Sequence, residues 1–123
     1  MIDFDTMGDW LDEIAERFPP AFYTDLNGGI ALLPEAMPDP EFPEGEMYFL
    51  GEYCNDEMGR YINLYYGSFA ALFADATDEE LYDELYETLA HEFTHHIESL
   101  AGERGLEIKD ELELQQFREE YQN

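Results

Sequence analysis

Between Thr77 and Gly102 the apolar residues Leu81, Leu85, Leu89, Phe93, Ile97 and Leu100 recur at steps of three and four. Positions spaced this way lie above one another on a helix of 3.6 residues per turn, so they form one continuous stripe. Thr77 and Glu80 match the T-x-x-E capping box ahead of the stripe. Gly102 offers a stop after it. A helix is therefore predicted over about 78–101, roughly 36 Å long at 1.5 Å per residue. A chain of 123 residues has to be organised around an element of that length, and it suits one domain, residues 1–123.

The remaining elements are shorter. Met7, Trp10, Leu11, Ile14 and Phe18 predict an amphipathic helix over 6–18, with Asp5 or Thr6 as its cap and Pro19-Pro20 as its end. Asn27-Gly28-Gly29 is a turn signal, and residues 29–33 read as a short buried strand. Residues 34–46 hold four prolines and five acids and are expected to be an exposed irregular loop. The aromatic and β-branched runs 47–53 and 60–66 read as strands, joined by a hairpin connection over 54–59. Gly67-Ser68 opens a short helical stretch through Phe73, and a last helix is expected over about 110–121. The fold class is α+β: a small β-sheet packed on the long helix, with N- and C-terminal helices.

Five Lys and Arg against 31 Asp and Glu give a formal charge of −26. Such a surface repels nucleic acid and anionic membranes, and favours cations, metals and basic peptides as partners. The same charge also serves plain solubility. One cysteine, Cys54, excludes an internal disulfide and fits a reducing compartment. The acidic N-terminus lacks a signal-peptide pattern, and no apolar run is long enough to span a bilayer, so the expected location is cytoplasmic.

Inside the best-defined helix stands His91-Glu92-Phe93-Thr94-His95. Histidines at i and i+4 lie one turn apart on one face, where two imidazoles can share a metal ion. Glu92 projects about 100° round from His91, beside that ion rather than on it. A carboxylate there can take a proton from a metal-bound water. The stripe is centred opposite His91 and His95, so both face away from the core. The bland alternative is a pair of exposed histidines with no metal. Glu84, Glu87 and Glu98 share their face, which is expected to raise the histidine pKa values. His96 points about 140° from His91 and is expected to be packed and hydrogen-bonded.

A catalytic zinc site generally has three protein ligands. Glu98 is strained for that role, being about 10 Å along the axis from His91. Glu103, Glu107 and Asp110 follow the helix stop, and geometry does not choose among them.

At HEFTHH the chain resembles the small bacterial zincin-like metallopeptidase family, whose short domains carry H-E-x-x-H-H. Leu26-Asn-Gly-Gly-Ile-Ala-Leu-Leu-Pro-Glu35, Leu50-Gly-Glu-Tyr53, Tyr61-Ile-Asn-Leu-Tyr-Tyr-Gly67 and Glu98-Ser-Leu-Ala-Gly-Glu-Arg104 extend the resemblance over most of the chain. It implies a minimal zincin-like domain, one zinc ion per chain, His91 and His95 as ligands, and Glu92 as catalytic base. Many members of the family continue H-E-x-x-H-H-x-G-x-x-D; here Glu98 and Ala101 stand where the glycine and the acid are expected. The segment Ile108-Lys-Asp-Glu-Leu112 resembles the stretch around the family's acid, which implies Asp110 as third ligand.

The function expected on this basis is zinc-dependent hydrolysis of a peptide or protein substrate, a basic one being favoured by the charge. The alternatives are a non-catalytic metal-binding module and an acidic protein-interaction domain that keeps the HExxH helix. Iron or manganese also suits two histidines and a carboxylate. The strands 47–53 and 60–66 are candidate edges for an extended peptide. Tyr61, Tyr65 and Tyr66 are candidate oxyanion donors, though packing on the sheet is their commoner role. Arg60 and Arg104 are candidates for a substrate carboxylate, with internal ion pairing the commoner role. Oligomeric state is not encoded in any pattern of the chain.

Overall fold

The structure is a computed structural model and describes residues 1–104. Its elements are α1 (Phe4–Glu16), a 3-10 turn (Pro20–Tyr23), β1 (Gly29–Leu33), β2 (Met37–Pro38), β3 (Tyr48–Phe49), β4 (Gly51–Asp56), β5 (Gly59–Tyr65), α2 (Tyr66–Leu72) and α3 (Asp78–Arg104). The architecture is α+β.

Helix α1 starts two residues before its predicted start because Asp3, not Asp5 or Thr6, caps it: the Asp3 carboxylate accepts from the Thr6 N–H at 2.8 Å. It buries Met7, Leu11 and Ile14. At the head of α3 the capping box closes in both directions. Glu80 N–H donates to Thr77 Oγ1 at 3.1 Å and Thr77 N–H to Glu80 Oε1 at 2.9 Å. The helix runs on through Gly102 instead of stopping there. A glycine ends a helix by entering the left-handed region, and Gly102 does not enter it.

The main sheet has the order β1-β5-β4. β1 lies parallel to β5, from Gly29 opposite Tyr61 to Leu33 opposite Tyr65. β4 and β5 form an antiparallel hairpin, with pairing that reaches Asp56 opposite Gly59. The turn is thus Glu57-Met58, shorter than the predicted 54–59 connection. Cys54 and Asp56 fall on the sheet's outer face beside Tyr61, whose hydroxyl donates to Asp56 at 2.7 Å. Alternation on that face holds the strand together beyond its apolar part.

Residues 34–46 are not wholly irregular. Met37 and Pro38 pair antiparallel with Phe49 and Tyr48 as a two-stranded ribbon. The ribbon is tied to α2 by Met37 N–H donating to Ser68 Oγ at 2.9 Å and Gly67 N–H to the Glu35 carbonyl at 3.1 Å. A Cβ at Gly67 would stand 2.5 Å from the Ala36 nitrogen, so this approach requires glycine.

Helix α3 packs on α1 and across the inner face of β4 and β5. All six stripe residues, Leu81 to Leu100, are buried. Phe93 is the centre of an aromatic group, 4.9 Å from Phe18 and 5.6 Å from Phe22 between ring centroids. Each such side chain contributes about 1.5–3 kcal/mol of burial free energy. Among the described residues no helix is long and apolar enough to cross a membrane. The expected 110–121 helix lies outside the described residues.

Candidate metal centre and cleft

Strand β4 runs along α3 in the same direction. A Cβ on Gly51 would lie 3.2 Å from Thr88 Cγ2, the Tyr53 hydroxyl is 2.9 Å from His96 Nδ1, and Asn55 Nδ2 donates to Ser99 Oγ at 3.3 Å. The Leu50 carbonyl accepts from the Tyr65 N–H at 2.9 Å, which sets the phase of the ladder. With that phase the backbone groups of Glu52 and Cys54 face β5, and those of Gly51, Tyr53 and Asn55 face the outer edge. The β4 edge and the exposed side of α3 enclose a cleft of about 1110 Å³. β5 has a neighbour on each side, so the 60–66 strand is not the edge that sequence allowed it to be.

His91 and His95 are exposed in this cleft. Their Nε2 atoms converge to 3.1 Å, with the rings 84° apart. Two nitrogens about 2.0–2.1 Å from one tetrahedral zinc are about 3.3 Å from each other. The pair therefore fits a shared ion with little adjustment. On the far side of the His95 ring, Nδ1 faces Glu98 at 3.7 Å. Among the described residues no third His, Cys, Asp or Glu completes a metal-holding group. Asp110, Glu107 and the Glu103 side chain, along with Arg104's, lie outside the described residues.

Glu92 lines the same cleft, under the β4 edge, and is only 6% exposed. Burial pushes its carboxyl up to about 7, helped by the charge of Glu52 and opposed by a hydrogen bond from the Tyr53 backbone. The ladder phase aims the Tyr53 N–H outward, on the side where Glu92 lies. His91 departs from expectation. Its pKa is lowered, by partial burial first and by His95 second, with Glu98 working against both. Desolvation and a like neighbour outweigh the acidic face.

His96 takes the predicted inward position and is fully buried. Its Nε2 lies 2.7 Å from the Thr24 carbonyl, which can only accept, so Nε2 carries the proton and Nδ1 accepts from Tyr53. Tyr61, Tyr65 and Tyr66 do not line the cleft. Their hydroxyls donate to Asp56, Glu52 and the Ile2 carbonyl respectively. Arg60 is absent from the cleft wall and stands near enough to His96 to lower its pKa, after burial. Glu84, Glu87 and Glu98 do line the cleft.

Sequence reasoning did not single out Tyr53, Glu52 or Thr88. Tyr53 had a faint signal: odd-numbered residues of 51–55 share a face, but which face meets α3 depends on pairing with β5.

No protein-family model matches the chain, and no curated protein does. Among solved structures it is similar to a conserved hypothetical protein from T. thermophilus, with 32% identity and a TM-score of 0.72. The match covers 82% of this chain and 99% of that one. At that identity and coverage, the chain belongs to the same family as the T. thermophilus protein.

Proposed function

We propose that this protein is a zinc-dependent metallopeptidase built on a minimal zincin-like domain, with one zinc per chain held by His91, His95 and Asp110. The observation that carries the reading is the convergence of two imidazole Nε2 atoms at 3.1 Å beside a buried carboxylate. Bound there, zinc would polarise the scissile carbonyl and lower the pKa of its water.

The chain's own residues do the rest. Glu92 takes the proton of the attacking water and passes it to the leaving amine nitrogen. Burial under β4 raises the carboxyl of metal-free Glu92, and the group must both accept and release the proton. The outer edge of β4 presents Gly51 N–H and C=O and the Tyr53 C=O to an extended peptide, which adds as a further strand. Glu98 lies 3.7 Å from His95 Nδ1, on the side of the ring away from the shared ion.

Glu92→Gln is expected to keep the zinc content and lower hydrolysis of a peptide library by roughly 10³-fold. Wild-type rates in that variant would refute the base role. A non-catalytic metal-binding module is the second reading, in which the same pair of imidazoles holds the ion without turnover. Stoichiometric zinc with no turnover in the wild-type protein would select it.

A further inference from the structure

Two methionines and a phenylalanine share one face of the β2–β3 ribbon. Met37 stands opposite Phe49 in the register. Met47, whose carbonyl accepts from the Asp39 N–H at 3.0 Å, alternates onto the same face as Phe49. Met47 and Phe49 are each 44% exposed. Large apolar side chains gathered in water on one face mark a surface that another molecule covers.

The position of the face says which molecule. Phe49 lines the cleft, so the face opens into it. From Phe49 the chain runs through Leu50 into β4, whose outer side has no partner strand among the described residues. A peptide that pairs with Gly51 on that side is held in line with Phe49. The spacing follows from the packing of β4 on α3. Gly51 lies beside Thr88, where a Cβ would come 3.2 Å from Thr88 Cγ2. Thr88 precedes His91 by about 4.5 Å along the helix, and Phe49 precedes Gly51 by about 7 Å along the strand. Phe49 thus stands about 11 Å from the level of His91, a span covered by three residues of extended chain at about 3.3 Å each. The flexible thioethers beside the ring adapt to apolar side chains of different shape. The opposite end of the cleft is walled by Glu98 and Ser99, so the apolar wall serves one side only.

We propose that Phe49, with Met47 and Met37, is the specificity wall of the cleft, and that the preferred substrate is an extended peptide with a large apolar side chain about three residues from the scissile bond, on the side over Phe49. This rests on the peptidase reading and narrows it to a substrate class. The wall acts by burying the substrate's apolar side chain together with its own half-exposed residues.

The test uses the full-length, zinc-loaded protein and quenched peptides of one Ala/Ser host sequence. A Leu or an Ala is placed in turn at each of four positions on either side of the cleavage site. The readout is the ratio of kcat/KM between Leu and Ala peptides. It is expected to reach about tenfold, about three residues from the cleaved bond on one side only. In the double variant M47S/F49S the ratio falls to about one, while M58S, at the exposed tip of the β4–β5 hairpin, keeps it. A merely structural defect would lower the rates of both peptides alike and leave their ratio in place. A wild-type ratio of one at every position overturns the inference, as does a ratio retained in M47S/F49S. A wild-type dimer that M47S/F49S turns into a monomer on sedimentation would put a second copy on the face, and overturns it too. Hydrolysis without preference sinks this inference alone. No hydrolysis of any peptide by the zinc-loaded wild type sinks the peptidase reading and this inference together.

Discussion

His95 and His96 are consecutive residues of α3, yet one ring opens to a cleft and the other is sealed in the core. The His95 Nε2 faces a second imidazole nitrogen across 3.1 Å. The His96 nitrogens are both committed, one to the Thr24 carbonyl and one to Tyr53. A helix turns about 100° per residue, so neighbours can serve unrelated ends without interfering. His96 clamps α3 to β4 and to the chain after the 3-10 turn. That clamp places Tyr53, and Tyr53 in turn meets Glu92. The sealed histidine thus supports the geometry that the open one would use.

Replacing each in turn separates the two roles. His95→Ala is expected to weaken zinc binding by at least roughly 10³-fold while shifting the metal-free melting temperature by no more than about 2 °C, as for an exposed side chain. Chelator should lower the wild-type melting temperature by mass action and leave that of His95→Ala unmoved. Equal chelator sensitivity in both proteins would mean that His95 holds no metal. His96→Ala is expected to do the reverse. It strands the Thr24 carbonyl and the Tyr53 hydroxyl and opens a cavity, at a cost of about 3 kcal/mol, or roughly 10 °C in melting temperature. Zinc affinity of the folded protein would change far less than in His95→Ala. A His96→Ala protein as stable as the wild type would remove the clamp.

The contrast was legible in the sequence because it depends on local periodicity alone. Six stripe residues and a capping box locate α3, and from them the facing of His91, His95 and His96 follows by rotation. β1 was legible for a similar reason: Asn27-Gly28-Gly29 bounds an apolar run on one side and Pro34 on the other. What stayed hidden depends on pairing between distant segments. Whether 47–53 or 60–66 is the edge is decided by β1, which takes the far side of β5 in parallel. Met37-Pro38 becomes a strand because Tyr48-Phe49 and Ser68 offer partners, not because of its own residues. The depth of Glu92 is hidden likewise. Helical rotation puts it beside the histidines, but only the β4 strand laid over it makes it buried.

That burial gives the smallest of the expected effects, and it sharpens the comparison by adding pH. In the metal-free protein the Glu92 carboxyl lies near 7 when folded against an ordinary 4.5, so the folded state prefers it protonated. The contribution to stability is full below pH 4.5 and is lost as pH rises through about 7. Above that, folding carries the burden of a buried charge under β4. Glu92→Gln removes the ionisation while keeping the shape. The metal-free variant should be more stable than the wild type at pH 8, by about 1–2 kcal/mol after allowance for solvent screening, or roughly 5 °C. The gap should close toward pH 4, where both side chains are neutral. His96, buried as a neutral ring between two partners, gives the opposite slope, because acid and not alkali charges it. Melting curves of both proteins from pH 4 to pH 8 in chelator decide the matter. A gap between them that does not change with pH would show that the charge on Glu92 is solvated, and the cleft floor with it.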